Sequence, residues 1–217
     1  VRGLISRLAS EEEDWLNDEM RLRARQEKRA HRPCENVEDA LDAMPLRDRA
    51  DELYIRPDFP GWQDRYYARL FDGNQSAALR HAASVNYLEG LEWTYAYYTI
   101  GCLDWTWSYR YAYPPLLSDL ASFVPALPGR VLNAPIGGGS PVDPLVQLSY
   151  VLPAGRLGLL PASLTAKLRE KHPGWYSYRG EFKWAFCRYF WESHPVLPHI
   201  NIDALGKLVC EHTESPM

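Results

Sequence analysis

The chain has 217 residues, 46% apolar and 24% charged, with a formal net charge of −4. That is enough for a packed globular core, and it excludes a generally basic nucleic-acid binder while leaving room for a local basic groove. No apolar run reaches the ~20 residues of a membrane span, and Cys34, Cys102, Cys187 and Cys210 form no CxxC pair, which argues against a zinc or redox motif and fits reduced thiols in an intracellular protein, cytoplasmic or nuclear.

No signal peptide is visible. The first residue is Val1 rather than Met, as expected of a processed chain or of one part of a longer one. Residues 1–32 read as a long amphipathic helix with Leu4, Leu8, Trp15, Leu16 and Met20 as its apolar stripe. Ser10 before Glu11, Glu12 and Glu13 is an alternative helix start. The order of charges, acidic at 11–14 and basic at Arg21, Arg23, Arg25, Lys28, Arg29 and Arg32, complements the helix dipole. The basic run is read as a solvated helix end, with a phosphate-contact surface as the alternative.

Residues 33–60 are punctuated by Pro33, Pro45, Pro57 and Pro60 and read as a linker, with a short helix over Val37–Met44. In 61–85, Trp62, Tyr66, Leu70 and Phe71 share a helical face and are expected in the core. Asp72-Gly73-Asn74 is a turn, and Ser76 caps a helix that runs on through Leu79, Ala82 and Ala83.

The stretch Asn86–Leu120 dominates the chain. Leu88, Leu91, Tyr95 and Tyr98 recur at helical spacing, and Gly101 is a helix stop. Trp105, Trp107, Tyr109, Tyr111 and Tyr113 then fall two apart, which predicts a strand or an extended segment with one aromatic face, ended by Pro114 and Pro115. Such a wall serves as core or as a stacking surface for bases. Read as core, Trp105→Ala and Trp107→Ala would each cost about 3–5 kcal/mol.

Residues 121–143 are rich in proline and glycine, and Gly137-Gly138-Gly139 reads as a spacer: without a following GK[ST] it is no phosphate loop. Leu145, Leu148, Val151 and Leu152 form a helix face ended by Pro153, and 163–171 is a short helix. His194 and His199 read as loop histidines rather than as a metal pair.

The central stretch, NYLEGLEWTYAYYTIGCLDWTWSYRYAYPPLLSDL, resembles the second conserved region of Xrn-type 5′→3′ exoribonucleases. That family has EGL-x-W, an aromatic run, then G-x-x-S-W-x-W-x-Y-P-Y-H-Y-A-P-F-x-S-D. Glu89, Gly90, Leu91, Trp93, Tyr97, Tyr98, Gly101, Trp105, Trp107, Tyr109, Tyr111, Tyr113, Pro115, Ser118 and Asp119 match it; Asp104, Arg110, Ala112, Pro114 and Leu116 depart from it. Trp62, Tyr66, Tyr67 and Phe71 upstream, Pro144 to Pro161, and Trp191 with Val196 to Ile200 resemble further family segments in order.

The resemblance implies a mainly α fold, an irregular multi-helix domain with long proline/glycine-rich loops. It divides as 1–32, a long charged amphipathic helix; 33–60, a linker or variable segment; and 61–217, the Xrn-like helical domain. It implies packing on a nuclease domain, in the same polypeptide or a partner subunit, and a channel for single-stranded RNA, with no membrane association. Trp105, Trp107, Tyr109, Arg110, Tyr111 and Tyr113 are expected on the pocket wall. Glu89, Gly90, Leu91, Trp93, Ser118, Asp119 and Trp191 are expected to be structural. The family's metal-binding carboxylates lie in its N-terminal nuclease half, so no catalytic residue, metal ligand or cofactor is expected in this chain, and Mg²⁺ belongs to the nuclease domain. The departures keep an alternative open: a non-catalytic relative that serves as a scaffold or RNA-binding subunit.

Overall fold

A computed structural model describes residues 2–30, 33–125, 140–177 and 180–213. The fold is mainly α, and the chain divides into two compact units. The first is Val1–Gly139 with Trp184–His194, and the second is Ser140–Lys183 with Pro195–Met217. The segment expected as one domain, 61–217, is thus shared between the two.

The first helix, α1 (Arg2–Ala30), is organised against its apolar pattern. Of the expected stripe only Leu16 is buried; Leu4 and Trp15 are more than half exposed. The buried face is Ile5, Glu12, Leu16, Glu19 and Arg23, at helical spacing but mostly charged. Ser10 is not a start: it sits inside the helix and donates to the Arg7 carbonyl.

The charged face is stable because each ion on it is met. Arg23, 1% exposed, donates Nε to Glu19 (3.1 Å) and Nη1 to Glu52 (2.9 Å), and its remaining N–H groups reach the Phe186 and Cys187 carbonyls. Arg49 donates Nε to Glu52 (2.8 Å) and Nη1 to Glu27 (3.2 Å). Arg188 pairs with Glu19 through Nε (3.0 Å) and Nη2 (2.7 Å). The expected solvated basic run therefore has its second arginine, Arg23, in the core.

The expected linker 33–60 carries two helices, α2 (Val37–Arg47) and α3 (Ala50–Ile55). Asn36 caps α2 by accepting from Asp39 N–H (2.8 Å). The helix runs through Pro45 instead of ending before it. Complete burial of the ring offsets the hydrogen bond that a mid-helix proline forfeits. The turn after α3 is held by Arg65, which donates to five carbonyls, those of Tyr54, Ile55, Arg56, Phe59 and Pro60. These include the last, otherwise orphaned, carbonyls of α3.

Helix α4 (Trp62–Leu70) buries Trp62, Tyr66, Tyr67 and Leu70, as its spacing predicts. Helix α5 (Ala77–Thr99) begins at the expected cap, Ser76, which accepts from Leu79 N–H. It ends where Gly101 adopts φ +107°, with the Ile100 and Gly101 N–H groups both on the Ala96 carbonyl. Helix α6 (Leu117–Phe123) has no cap of its own. Glu12 of α1 supplies one, accepting from the Leu117 and Ser118 N–H groups. Burial nonetheless pushes the Glu12 carboxyl above its ordinary value, outweighing those two bonds. The core of this unit joins Leu16, Ile55, Trp62, Tyr66, Tyr67, Leu70, Phe71, Tyr113 and Leu116.

In the second unit, α7 (Pro144–Val151) is capped by Asp143, which accepts from Leu145 N–H (2.8 Å), and it ends ahead of Pro153. Its buried face is Val146 and Ser149; Leu148 and Val151, expected inside, are exposed. Val146 packs with Leu157 and Leu160, with Leu164 and Leu168 of α8 (Ala162–Lys171), and with Leu205, Leu208 and Val209 of α9 (Ile202–Thr213). Asn201 caps α9 by accepting from Ala204 N–H (2.9 Å). Strand structure among the described residues is limited to two two-residue strands, β1 (Phe182–Lys183) and β2 (His194–Pro195). Of the expected spacer, 121–123 is helical and 126–139, with the triple glycine, lies outside the described residues.

Removing one partner of a buried ion cluster strands the others. Arg23→Met is expected to cost about 3–5 kcal/mol in urea unfolding, far more than Arg21→Met at the exposed position two residues earlier. Glu19 gives a pH signature. Hydrogen bonding by Arg188 and the charge of Arg23 hold its carboxyl below the ordinary 4.5. Its stabilisation is therefore complete above that value and lost as pH falls through the lowered one. Glu19→Gln is expected to lower the melting temperature at neutral pH and to flatten its fall below pH 4.5.

Candidate functional site

The residues singled out in 86–119 lie on α5 and on the irregular segment after it, 100–116. No strand forms at 104–113. The segment turns instead, because Asp104 Oδ1 accepts both the N–H (2.8 Å) and the hydroxyl (2.7 Å) of Thr106. Those bonds hold the Asp104 carboxyl below its ordinary range.

The turn brings Trp107 back over α5. A Cβ at Gly90 would lie 2.6 Å from Trp107 Cη2, so the indole rests directly on the helix backbone and only glycine fits beneath it. Trp107 stacks on Trp93 (5.8 Å, 21°), and Trp93 stacks on Tyr97 (5.2 Å, 14°), giving a column of three rings. Trp93 Nε1 donates to the Asp104 carbonyl (2.8 Å), while Trp107 Nε1 is buried without a hydrogen-bond partner among the described residues.

Glu89 acts through Asn86. It accepts from Asn86 Nδ2 (3.0 Å), leaving Asn86 Oδ1 to accept the Arg110 N–H (3.0 Å) and pin the loop to the helix. The tyrosines then run inward. Tyr109 donates to the Tyr113 carbonyl (2.8 Å), Tyr111 packs on Phe71, and the Tyr113 hydroxyl accepts from Ala185 N–H (3.1 Å). Burial pushes the hydroxyls of Tyr67, Tyr109 and Tyr113 up, so they act as neutral hydrogen-bonding groups. Asp119 lies 3.8 Å from Arg80, whose guanidinium sits 4.6 Å over the Tyr67 ring.

The expected wall is thus a gradient. Trp105 is 49% exposed, and the Arg110 side chain is exposed; Trp107, Tyr109 and Tyr111 are half-buried; Tyr113 is buried. Ser118 is exposed at the start of α6. Trp191 is exposed and stacks on Tyr189 (5.8 Å, 9°). The expected face of α5 separates: Leu88 is buried, whereas Leu91, Tyr95 and Tyr98 are 44%, 72% and 82% exposed. A spacing pattern marks a shared face but not what covers it, so the sequence could not reveal this.

The described residues do not gather a donor set for a catalytic metal pair. Among the described residues no three His, Cys, Asp or Glu side chains come together, and the core carboxylates are engaged by arginines or backbone N–H groups. Burial pushes the Cys187 thiol up to about 11, so it stays protonated at neutral pH.

The Xrn1 helical domain family matches residues 5–213. The chain belongs to that family. A Caenorhabditis elegans protein named 5′-3′ exoribonuclease 2 homolog is 30% identical over 182 residues, covering 82% of this chain and 18% of the relative. The Schizosaccharomyces pombe 5′-3′ exoribonuclease 1 is 34% identical over 132 residues, covering 58% of this chain and 9% of the relative. The Candida glabrata 5′-3′ exoribonuclease 2 reaches 40% over 97 residues, covering 44% and 9%. This Xrn1 helical domain thus spans less than a fifth of the length of these curated relatives. No described helix is long and apolar enough to cross a membrane.

Half-exposed Trp105 and backbone-seated Trp107 should respond differently to truncation. Trp105→Ala is expected to cost under about 1.5 kcal/mol and Trp107→Ala about 3 kcal/mol, less than a uniform core reading gives for Trp105. Gly90→Ala is expected to destabilise by about 1–3 kcal/mol in the native background and by much less beside Trp107→Ala. Chemical unfolding of the double-mutant cycle measures this coupling.

Proposed function

We propose that this chain is the helical domain of a 5′→3′ exoribonuclease. In this reading it packs on a nuclease domain, in the same polypeptide or in a partner subunit, and its 105–113 segment shapes a channel for single-stranded RNA. The observation that most supports the reading is the bare face of α5. Leu91, Tyr95 and Tyr98 lie along one stripe, mostly in solvent, beside the ring column that carries the family motif. A contiguous aromatic stripe of this kind marks an interaction surface, and the relatives named as exoribonucleases extend far beyond this domain.

Within this reading Trp105 offers a face to a base, worth about 1–3 kcal/mol, and the exposed Arg110 guanidinium suits a phosphate. Phosphodiester hydrolysis with Mg²⁺ is assigned to the nuclease domain. The scaffold alternative draws on Arg110 and Ala112, where the chain departs from the family pattern, on the departures in its closing motif, and on the net charge of −4.

The test is decay of a 5′-monophosphorylated single-stranded RNA by the native polypeptide that contains this chain. Decay from the 5′ end is expected, with kcat/KM about tenfold lower in Trp105→Ala, equivalent to about 1.4 kcal/mol, at a temperature where the variant, whose melting temperature falls by no more than about 6 °C, is still fully folded. RNA binding without decay would favour the scaffold reading. No RNA binding, or full activity in Trp105→Ala, would overturn the channel role.

A further inference from the structure

One turn of α5 holds the aromatic segment at three points. Gly90 lies under Trp107, Tyr87 meets Tyr109 edge-on (5.7 Å, 86°), and Asn86 Oδ1 accepts the Arg110 N–H (3.0 Å). The third contact differs from the other two in having a polarity. An amide accepts at one end and donates at the other, so Asn86 must be turned the right way to receive an N–H. Glu89, one turn further along α5, sets that choice. Its carboxylate only accepts, so it takes Asn86 Nδ2 (3.0 Å) and leaves Oδ1 for Arg110. Asn86 is 5% exposed, so a reversed amide would leave both contacts unmade at a buried position.

The Xrn-type pattern has proline at the place of Arg110, and proline has no N–H to give. The hydrogen bond and the cation therefore enter this chain together. A proline steadies a loop by fixing φ; arginine does not, and Asn86 supplies the constraint instead. The guanidinium held in this way is exposed, and no carboxylate pairs with it among the described residues. Arg23, Arg49, Arg56, Arg69 and Arg80, by contrast, each meet at least one carboxylate.

We infer that Asn86, turned by Glu89, is a positioning residue for RNA: it fixes the backbone at Arg110 and so directs the unpaired guanidinium to a phosphate of the bound single strand. A cation on a fixed root loses less freedom when it meets its phosphate. The inference rests on the RNA reading of the 105–113 segment and adds to it a buried link that itself touches no RNA.

The test is equilibrium binding of a 5′-monophosphorylated single-stranded RNA to the native polypeptide that contains this chain. It is run without divalent cations, over a series of salt concentrations, at a temperature where every variant is folded. Arg110→Met is expected to weaken binding about tenfold and to flatten the dependence of log K on log salt by about 0.7. Asn86→Leu is expected to weaken binding about fivefold with the same flattening, and by less than about twofold beside Arg110→Met. Glu89→Leu, at a half-buried position, breaks the same link where Asn86→Leu does not fold. A carboxylate accepts at both ends and needs no turning, so adding Asn86→Asp to Glu89→Leu is expected to recover binding to within about threefold of the native chain. An equal loss from Asn86→Leu with and without Arg110, or an unchanged salt dependence, would reduce the link to a structural one and overturn the inference. Native affinity in Arg110→Met would instead overturn the phosphate reading of Arg110, and the inference with it.

Discussion

The first unit depends on the burial of one positive charge. Arg23 lies among carboxylates and carbonyls drawn from α1, α3 and the segment 184–194, so α1 is held in a single register. A one-residue slip would rotate the guanidinium about 100° away from its partners. With the register fixed, Glu12, eleven residues earlier and about 16 Å along the same face, meets the first N–H groups of α6. That contact fixes where α6 begins, and so where the aromatic segment before it must end. Hydrophobic contacts could have supplied the area but not the register, because apolar surfaces slide and forked hydrogen bonds do not.

The aromatic segment is held from two sides. At its start an Asx-type turn at Asp104 and the Asn86–Arg110 bond fold it onto α5; at its end Tyr113 is locked to Ala185. Between these anchors the rings pass from solvent into the core. Such a segment can present a ring at one end while its other end stiffens it. Sites that must hold geometry are built in this way.

Much of this was legible in the sequence. The α4 face, the Ser76 cap and the Gly101 stop follow from spacing and from residue chemistry that acts locally, and the mainly α class follows from the family resemblance. The family motif also carried real geometry, since Glu89, Gly90 and Trp107 prove to be parts of one helix–loop clasp. What failed did so for non-local reasons. The apolar count on α1 picked Leu4, Leu8 and Trp15, whereas the core side is set by Glu19 and Arg23, whose partners lie far away in sequence. Alternation at 105–113 implied a strand or an extended segment with one aromatic face; among the described residues no strand pairs with it, and Asp104 bends the chain first. Pro45 implied a helix end, and tertiary burial overrode it. The exposure of Tyr95 and Tyr98 is invisible to periodicity, which reports a shared face and is silent about its cover.

The wiring of the two units has a consequence for synthesis. Arg23 finds its carbonyl partner at Cys187, 164 residues later. A ribosome adding about 5–20 residues per second reaches that point roughly 8–33 seconds after Arg23 is made. Throughout that interval the α1 face carries ions whose closing segment does not yet exist. The nascent first unit therefore waits for almost the whole chain, including most of the second unit, before its charged core can be sealed.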